Sequence, residues 1–443
     1  MTKQYQPIIG LEVHAELKTK SKMFCSCKND PFGADKPNTY TCPVCLGMPG
    51  ALPVANKTAI EWTVKLGLAV GCEINRFSKF DRKNYFYPDL AKGYQISQYD
   101  IPFCHDGVVK TDWGPIGIHR IHLEEDTGKL IHDEIDGEKV SLIDFNRCGV
   151  PLVEIVTEPD IKNGEQAKQY SHKLRQILRY LNISDCKMAE GGMRLEANIS
   201  LKPVGQTELP DYKVEVKNIN SFRFLQESIN YEIERQTKLL NQGKKPIQET
   251  RGYDSERRAT FSQRIKEEAA DYRYFPDPDL PPIELSLEKI NEIKRSLPEI
   301  PDQKISRWIN EFNLEERYAI QLAKNRRIAD WVEAVFKKGQ GKNIKPNDLA
   351  KDIINKRINV SSQDKPTQVV SQYQNLHQTA NIANEKIEQI VKQVLAESPD
   401  AVEKYHSGKK QVIGFLIGQT MQQFKEKIDA KQVRDILLKT LEE

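Results

Sequence analysis

The chain has 443 residues, and its 38% hydrophobic and 29% charged residues are typical of an ordered soluble protein of roughly two to four domains. Sixty-six Lys and Arg against 63 Asp and Glu leave a formal charge of +3, so a polyanion would have to be bound by local basic patches. No apolar run reaches the roughly 18 residues of a membrane span, and no secretory segment precedes residue 7. We therefore expect a cytoplasmic protein.

The first predicted strand, residues 7–16, carries a polar stripe on an otherwise apolar sequence. Because side chains alternate between the faces of a strand, Glu12 and His14 point to one side and the apolar residues to the core. Two similar segments, 122–126 and 150–156, add the carboxylates of Glu124, Glu125 and Glu154. Gathered carboxylates cost free energy unless a cation or a substrate neutralises them, so the pattern predicts a metal site. A solvated acidic face of an antiparallel sheet is the alternative.

Four of the eight cysteines form two close pairs, Cys25 with Cys27 and Cys42 with Cys45. In a reducing cytoplasm such pairs are typical of zinc coordinated by four thiolates, whereas disulfides are rare. Four thiolates leave no position for water, so this zinc would be structural. Ordinary reduced cysteines are the alternative, and the four cysteines that stand singly are interpreted as small buried hydrophobic residues.

Up to about residue 220 the hydrophobic pattern mostly has a period of two, which predicts an α+β fold without βαβ units. Apolar and polar residues alternate without exception over residues 193–201, which should form a strand, with residues 212–217 as a shorter partner strand. Apolar spacing predicts an amphipathic helix over 165–181. A further helix should begin after Ser221 as its N-cap and stop at Gly243.

The second half of the chain changes character. Four prolines within residues 275–282 exclude a helix or a central strand there. From about Ser286 onward the pattern is almost wholly helical. Between Lys324 and Arg357, ten Lys or Arg stand against four Asp or Glu, so this region could follow a phosphate backbone. A solvated helix face explains the same charge.

The chain contains neither a P-loop nor a Gly-x-Gly-x-x-Gly motif, so bound phosphates would have to be held by metal and side chains. The polar sheet face, with Lys83 and Arg194, could place one or two divalent ions against a nucleoside triphosphate. Because magnesium prefers oxygen, His14 would ligate manganese directly, touch magnesium through water, or orient a carboxylate. A structural histidine and a surface lysine are the alternative interpretations of His14 and Lys83.

Longer motifs point to a family. They are the segments 9–14 (IGLEVH), 42–50 (CPVCLGMPG), 81–90 (DRKNYFYPDL), 122–126 (HLEED) and 271–276 (DYRYFP). In this order they resemble the GatB family, whose members form one of the three subunits of the tRNA-dependent amidotransferase GatCAB. The resemblance extends over nearly the whole chain and is weakest at residues 355–385.

The resemblance implies an enzyme that converts Glu-tRNA(Gln) to Gln-tRNA(Gln), or Asp-tRNA(Asn) to Asn-tRNA(Asn). ATP would phosphorylate the side-chain carboxylate, and ammonia would replace the phosphate. The amidase subunit, GatA, would release that ammonia from glutamine, and a small subunit, GatC, would complete a heterotrimer without membrane contact. Mg²⁺ or Mn²⁺ and a structural Zn²⁺ are the implied metals. Which charged tRNA is used depends on the mischarged tRNAs that the cell makes.

The resemblance also implies a domain organisation. A mostly antiparallel catalytic domain, similar to glutamine synthetase and called the cradle, would span residues 1–294, with a zinc-binding insert at about 25–45. An all-α linker domain would span 295–372, and a YqeY-like helical tail 373–443.

Site residues follow from the resemblance position by position. The implied metal ligands are Glu12, His14, Glu124, Glu125 and Glu154, with Cys25, Cys27, Cys42 and Cys45 for zinc. The implied catalytic residues are Glu12, Lys83, Glu124 and Glu125, and Arg194 with Glu196 would contact ATP. The candidates for tRNA contact are Lys324, Arg326, Arg327, Lys337 and Lys338.

Two other functions are compatible with parts of this pattern. A non-catalytic RNA-binding protein with a zinc module would bind tRNA without turning over ATP. A metal-dependent hydrolase using Glu12, His14 and Glu154 around an activated water would need neither tRNA nor partner chains. The amidotransferase accounts for more of the motifs than either.

Overall fold

A computed structural model describes residues 4–265, 272–378, 382–424 and 428–442, without the side chains of residues 218, 264 and 265. Asp271, the first residue of the DYRYFP motif at 271–276, lies outside the described residues.

The strands are Tyr5–Glu16 (β1), Glu73–Ile74 (β2), Phe77–Ser78 (β3), Asp81–Asn84 (β4), Tyr94–Ser97 (β5), Cys104–Thr111 (β6), Gly114–Glu125 (β7), Lys129–Ile135 (β8), Glu138–Asp144 (β9), Pro151–Thr157 (β10), Met193–Pro203 (β11), Val214–Ile219 (β12), Glu249–Asp254 (β13), Ala259–Ile265 (β14), Phe275–Pro276 (β15) and Ile283–Glu284 (β16).

The α-helices are Lys57–Ala69 (α1), Gly164–Tyr180 (α2), Phe222–Asn241 (α3), Leu287–Arg295 (α4), Pro301–Phe312 (α5), Glu316–Leu322 (α6), Arg326–Gln340 (α7), Pro346–Ile354 (α8), Pro366–His377 (α9), Asn384–Glu397 (α10), Pro399–His406 (α11), Ile413–Gln422 (α12) and Ala430–Glu442 (α13). Short 3-10 turns occur at Met188–Glu190 and Lys410–Val412.

One large sheet organises the first part of the chain, in the order β14-β13-β12-β11-β1-β10-β7-β6-β2. Its neighbours are antiparallel except β12 and β13, which are parallel. Helices segregated from a mostly antiparallel sheet make an α+β fold, which confirms the predicted fold class.

Strand β1 lies at the centre of the sheet, between β10 and β11. Its apolar residues Ile9, Leu11 and Val13 are at most 1% exposed and belong to the hydrophobic core, as do residues of α2 and α3. Alternation leaves the opposite face of β1 to its polar residues. The sheet therefore carries a packed face and a polar face.

The elements predicted from hydrophobic periodicity are confirmed. The observed strands β1, β11 and β12 match the predicted strands at 7–16, 193–201 and 212–217, and helix α2 matches the one at 165–181. Ser221 caps α3, since its side chain accepts a hydrogen bond from the Phe224 amide at 3.1 Å. The proline-rich stretch contributes only β15, at the edge of the small sheet β15-β4-β5. Helices dominate after Ser286, as predicted.

The chain divides into two compact units, Met1–Ser306 with Lys324–Arg326, and Arg307–Ala323 with Arg327–Glu443. Within the second unit, residues of α10 to α13 form a hydrophobic core of their own around Val391 and Leu437. The predicted division into three domains at 294 and 372 stays a prediction. Among the described helices, none has both the length and the apolar character needed to cross a membrane.

Candidate functional site

Four strands of the sheet bring a row of polar side chains together on the polar face. Arg194 of β11 lies opposite His14 of β1, His14 opposite Glu154 of β10, and Glu154 opposite His122 of β7. Neighbouring strands lie about 4.8 Å apart, so side chains in such a row touch. Residues from distant parts of the sequence thus meet at one place.

Glu154 is the hub of this group. Its Oε2 atom lies 3.2 Å from Nε2 of His14 and 3.2 Å from Nε2 of His122. His14 Nε2 is also 3.7 Å from Glu12 Oε1 and from Glu124 Oε1. We call Glu12, His14, His122, Glu124 and Glu154 the acidic cluster.

Burial makes the charges of the acidic cluster interdependent. The Glu124, Glu154 and His122 side chains are only 2 to 6% exposed. Burial alone would lower the pKa of His14, but Glu154 and Glu12 outweigh it and raise that pKa to about 9. Burial alone would likewise lower the pKa of His122, but Glu154 and Glu124 outweigh it and raise that pKa to about 9. Both imidazoles are therefore protonated at neutral pH when no metal competes for their nitrogens.

The carboxylates of the cluster shift in different directions. Burial and the Glu154 charge raise the pKa of Glu12 to about 7. Burial alone would raise the pKa of Glu154, but the two imidazoles outweigh it and hold this pKa well below its usual range. Perturbed carboxyl and imidazole groups gathered in one buried place are typical of a functional site.

Two subsets of the cluster have a geometry suited to a metal ion. Glu12, His14 and Glu154 each offer a ligand atom within 4.8 Å of the others, and so do His122, Glu124 and Glu154. The subsets share Glu154, so a bridging carboxylate could serve two ions. Oxygen with imidazole nitrogen suits Mn²⁺ directly and Mg²⁺ with water completing its shell.

Lys83 brings a positive charge to the cluster from β4. Burial alone would lower its pKa, but Glu124, Tyr274 and Glu154 outweigh it and raise this pKa well above its usual range. Its Nζ atom lies 5.0 Å from the centroid of the Tyr272 ring. Lys83 is therefore a permanently charged, half-buried side chain among tyrosines and not a solvated surface lysine.

Arg194 and Glu196 already have partners in the protein. Arg194 donates a 2.8 Å hydrogen bond to Asp126 Oδ2, and Lys217 Nζ lies 2.7 Å from Glu196 Oε2. Burial alone would raise the pKa of Asp126, but Arg194 and then Arg147 outweigh it and lower it to about 2. Both predicted ATP contacts lie beside the acidic cluster, and their contact with nucleotide stays a prediction.

The structure does not bring Glu125 into the acidic cluster. Because successive side chains of β7 point to opposite faces of the sheet, Glu125 points away from the face that carries Glu124. Glu125 forms a buried ion pair with Lys92 and accepts a 3.0 Å hydrogen bond from the Ile96 amide, whereas Glu124 accepts a 2.9 Å hydrogen bond from the Ser97 hydroxyl. The predicted role of Glu125 in metal binding and catalysis is thus untested, and this placement does not support it.

The four predicted zinc ligands are brought together. The sulfur atoms of Cys25, Cys27, Cys42 and Cys45 lie within 4.8 Å of one another, and we call them the tetracysteine cluster. A hydrogen bond from Cys25 and the nearby Lys22 charge, acting against burial, lower the pKa of Cys45 to about 5. Tetrahedral bonds of about 2.3 Å would place sulfur atoms about 3.8 Å apart, so the arrangement fits zinc.

The predicted tRNA contacts lie around helix α7 and are all exposed. Arg326 donates a 3.1 Å hydrogen bond to the Tyr180 carbonyl, and Lys337 pairs with Glu333 at 2.7 Å. Arg327 and Lys337 are ten residues apart, which is about 15 Å along a helix, so they do not form one compact patch. Their role stays a prediction.

Comparison with known proteins identifies the family. Residues 7–291 match the GatB/GatE catalytic domain, and residues 304–441 match the GatB domain of the YqeY type. Together these matches cover nearly the whole chain. The chain belongs to the GatB family.

Full-length relatives agree with this assignment. The chain is 44% identical to the B-subunit of the aspartyl/glutamyl-tRNA(Asn/Gln) amidotransferase of Thermodesulfovibrio yellowstonii, over 99% of this chain and 100% of the relative. It is 45% identical to the proteins of the same name from Dehalococcoides mccartyi, over all of both chains, and Thermoanaerobacter pseudethanolicus, over 99% of both. The predicted resemblance to the GatB family is therefore confirmed.

Sequence reasoning missed two residues of this GatB site. His122 belongs to the motif at 122–126 but is absent from the predicted ligands, although it stands two residues before Glu124 and so has the same parity on β7. That parity was the signal that could have found it. Ser97 comes from β5, whose contact with Glu124 has no signal in the sequence.

Proposed function

We propose that this GatB chain is the ATP-dependent subunit of an aspartyl/glutamyl-tRNA amidotransferase. A side-chain carboxylate oxygen of Glu-tRNA(Gln) or Asp-tRNA(Asn) attacks the γ-phosphorus of ATP, and the bond to the β–γ bridging oxygen breaks to release ADP. Ammonia then attacks the acyl carbon, inorganic phosphate leaves with the electrons of the C–O bond, and the nitrogen loses a proton. The products are the amide, ADP and phosphate.

The observation that carries this proposal is the acidic cluster facing Lys83. In phosphoryl transfer the protein mainly positions the reactants and offsets the charge spread over the transferring oxygens. Lys83 supplies a permanent positive charge for those oxygens. Glu12, Glu124 and Glu154 would repel a triphosphate by themselves, so their presence at this face favours a divalent cation between them and the phosphates.

The residues of this chain fit such a cation. Glu12, His14 and Glu154 would hold one Mg²⁺ or Mn²⁺, and His122, Glu124 and Glu154 a second. When bound, the metal neutralises phosphate oxygens during transfer. Ser97 orients Glu124 through its hydroxyl, which leaves the other carboxylate oxygen for the cation.

The tetracysteine cluster would hold a structural Zn²⁺ in the same protein. Lys22 lies beneath it, fully buried, and donates to the carbonyls of Tyr40 and Phe145 at 2.6 and 3.3 Å. Its charge would compensate the excess negative charge of four thiolates around a dication. Zinc would therefore fix the loop that carries Tyr40 beside Lys22 and the segment that follows β9.

Partner chains follow from the relatives' name, which describes one component of a larger enzyme. The amidase subunit, GatA, would release ammonia from glutamine, and the small subunit, GatC, would complete a cytoplasmic heterotrimer with this chain. Lys83, among Tyr85, Tyr272 and Tyr274, would lie where ammonia meets the acyl phosphate. Charged tRNA would bind through Lys324, Arg326, Arg327, Lys337 and Lys338.

The test is ATP hydrolysis by the assembled complex with and without charged tRNA. We expect charged tRNA to stimulate hydrolysis, and Glu154→Gln to reduce the stimulated rate by about 100-fold or more, a loss typical for removal of an electrostatic catalytic group. Glu158→Gln, a change at a partly exposed carboxylate just beyond β10 that pairs with His119 outside the acidic cluster, is the matched control and should behave as wild type. Glutaminase activity of GatA should survive both changes.

No stimulation in the wild-type complex would overturn the proposal. Binding of tRNA without ATP turnover would then indicate a non-catalytic RNA-binding protein. Hydrolysis that proceeds equally without tRNA would indicate a metal-dependent hydrolase.

A further inference from the structure

The hairpin of β8 and β9 is a sheet of its own, and among the described strands no third one pairs with it. Its two strands pair without interruption over residues 129–144, with Asp136 and Gly137 as the turn. Both turn residues have positive φ, 51° and 84°, as a tight two-residue hairpin turn requires. Residues 131–139 are exposed on both faces of the hairpin. We call residues 129–144 the arm.

The base of the arm is fixed to the rest of the protein. The Asn38 Nδ2 atom donates to the Ile143 carbonyl at 3.1 Å, and the Asn38 Oδ1 atom accepts a 2.7 Å hydrogen bond from the Phe145 amide. On the side of the other strand, the Gly128 amide donates to the Asp89 carbonyl at 2.8 Å. The arm is therefore held at both of its ends and has a defined direction.

One face of the arm carries four apolar side chains. Directly paired residues share a face, and so do residues two apart in one strand, which places Ile131, Ile135, Val140 and Leu142 together. Ile131, Ile135 and Leu142 are 37%, 47% and 42% exposed. We call these four residues the apolar face of the arm. Single exposed apolar residues are common, whereas a contiguous group marks an interaction surface.

The arm buries little apolar surface by itself. A two-stranded hairpin alone is only marginally stable in water, and an exposed apolar strand is an aggregation hazard. A second surface packed on the apolar face would remove the apolar groups from water and stabilise the hairpin. These properties indicate a face that is covered in the working enzyme.

A carboxylate lies in the middle of the apolar face. Asp133 stands between Ile131 and Ile135 on β8 and opposite Val140 on β9. A cover made of carbon alone would take this charge out of water without a partner, which is strongly unfavourable. The covering surface must therefore bring a Lys or Arg to Asp133. This requirement excludes a purely apolar cover.

The charge of the whole arm narrows the choice of partner further. The arm holds five Asp or Glu against two Lys, a net charge of −3. A phosphate backbone would be repelled, and so would the same arm of a second copy of this chain. The occupant that fits is a protein surface with an apolar centre and with Lys or Arg beside it.

We propose that the arm docks onto another protein subunit of the enzyme, with its apolar face on an apolar patch and Asp133 paired with a Lys or Arg of that subunit. The inference rests on the proposed function, in which this chain is one component of a larger enzyme. Ile131, Ile135 and Leu142 would supply the buried area, and Asp133 would fix the orientation. Because the base is already fixed, docking would order few additional groups.

The test measures the Kd between this chain and a purified complex of GatA and GatC. The double variant Ile131→Thr/Leu142→Thr keeps β-branched residues or strand-forming residues in the arm and should raise Kd about tenfold or more. Asp133→Lys should raise Kd as well. Glu134→Lys, the same charge reversal on the opposite face, is the matched control and should change Kd by less than about threefold.

Two further measurements separate lost docking from lost folding. The melting temperature of each variant should equal that of wild type, because the arm lies outside the nine-stranded sheet. Amide hydrogens of the arm should exchange more slowly in the assembled complex than in the free chain. Unchanged Kd in the double variant and in Asp133→Lys, or unchanged exchange of the arm on assembly, would overturn the proposal.

RNA and a second copy of this chain are the other possible occupants. If the double variant raises KM for charged tRNA and leaves the Kd for GatA and GatC unchanged, the arm binds RNA and the proposal is wrong. A free wild-type chain that sediments as a dimer, with a monomeric double variant, would place a second copy on the arm and overturn it too. A complex that assembles through the arm but lacks ATP hydrolysis stimulated by tRNA would remove the proposed function alone.

Discussion

Glu124 and Glu125 are adjacent in the chain and have different roles. Glu124 faces the acidic cluster, whereas Glu125 is buried in an ion pair with Lys92, whose side chain is 7% exposed and lies near the Phe24 and Tyr94 rings. Removing one partner of a buried ion pair leaves an uncompensated charge in a low-dielectric environment. Glu125 therefore stabilises the fold in the metal-free protein.

Glu125→Gln should accordingly lower the free energy of unfolding by about 3–5 kcal/mol, measured by urea denaturation. The double variant Lys92→Met/Glu125→Gln should recover part of this loss, because the charge left behind is removed as well. Mn²⁺ affinity of the folded Glu125→Gln protein should match wild type. A marked loss of Mn²⁺ affinity with normal stability would instead support the prediction from sequence that Glu125 is a ligand.

Metal binding at the acidic cluster should release protons. His14 and His122, each with a pKa of about 9 in the metal-free protein, are protonated at pH 7, and a nitrogen must lose its proton before it can ligate a metal. Mn²⁺ affinity should therefore rise with pH from 6 to about 9. Calorimetry at pH 7 in buffers of different ionisation enthalpy should detect release of roughly two to three protons, because Glu12, with a pKa of about 7, is also partly protonated.

The exposed His119, on the same strand as His122, provides the control for this measurement. His119→Gln should leave proton release unchanged, and His122→Gln should reduce it by about one proton. If wild type releases no protons, the imidazoles stay charged beside the metal and only orient the carboxylates.

At the scale of elements, the tetracysteine cluster joins residues 25–27 to residues 42–45, both in the segment between β1 and α1. Cys42→Ser should abolish stoichiometric zinc, measured by metal analysis of purified protein, and lower the melting temperature, because a structural zinc contributes folding free energy. Cys72→Ser, in the core, is the control that removes a buried thiol without touching the cluster. Full zinc content in the Cys42 variant would exclude four-thiolate coordination.

How far the sequence predicts this fold depends on the range of the interactions. Periodicity predicts β1, β11 and α2 because each pattern lies within one segment. The order of the strands does not follow from any single segment, since the pairing of β1 with β10 joins His14 to Glu154, 140 residues later. Ser97 was missed for this reason, and the partners of Arg194 and Glu196 come equally from other elements.

On the whole-molecule scale, the net charge of +3 cannot attract tRNA by itself, so binding must use local basic groups. Reversing charge at Arg327, Lys337 and Lys338 should raise KM for charged tRNA and make it less dependent on salt. Glutaminase activity without tRNA should not change. Identical KM and salt dependence in the triple variant and wild type would rule out these residues as tRNA contacts.

The pairing of β1 has a consequence for synthesis of the chain on the ribosome. Its two neighbours in the sheet, β10 and β11, begin at residues 151 and 193. At about 5–20 residues per second, β1 waits roughly 10 s or longer for its second neighbour. Throughout that interval the unpaired backbone N–H and C=O groups along its edge, together with its uncovered apolar side chains, are an aggregation hazard. Efficient expression should therefore depend on a holdase chaperone that covers the nascent amino terminus.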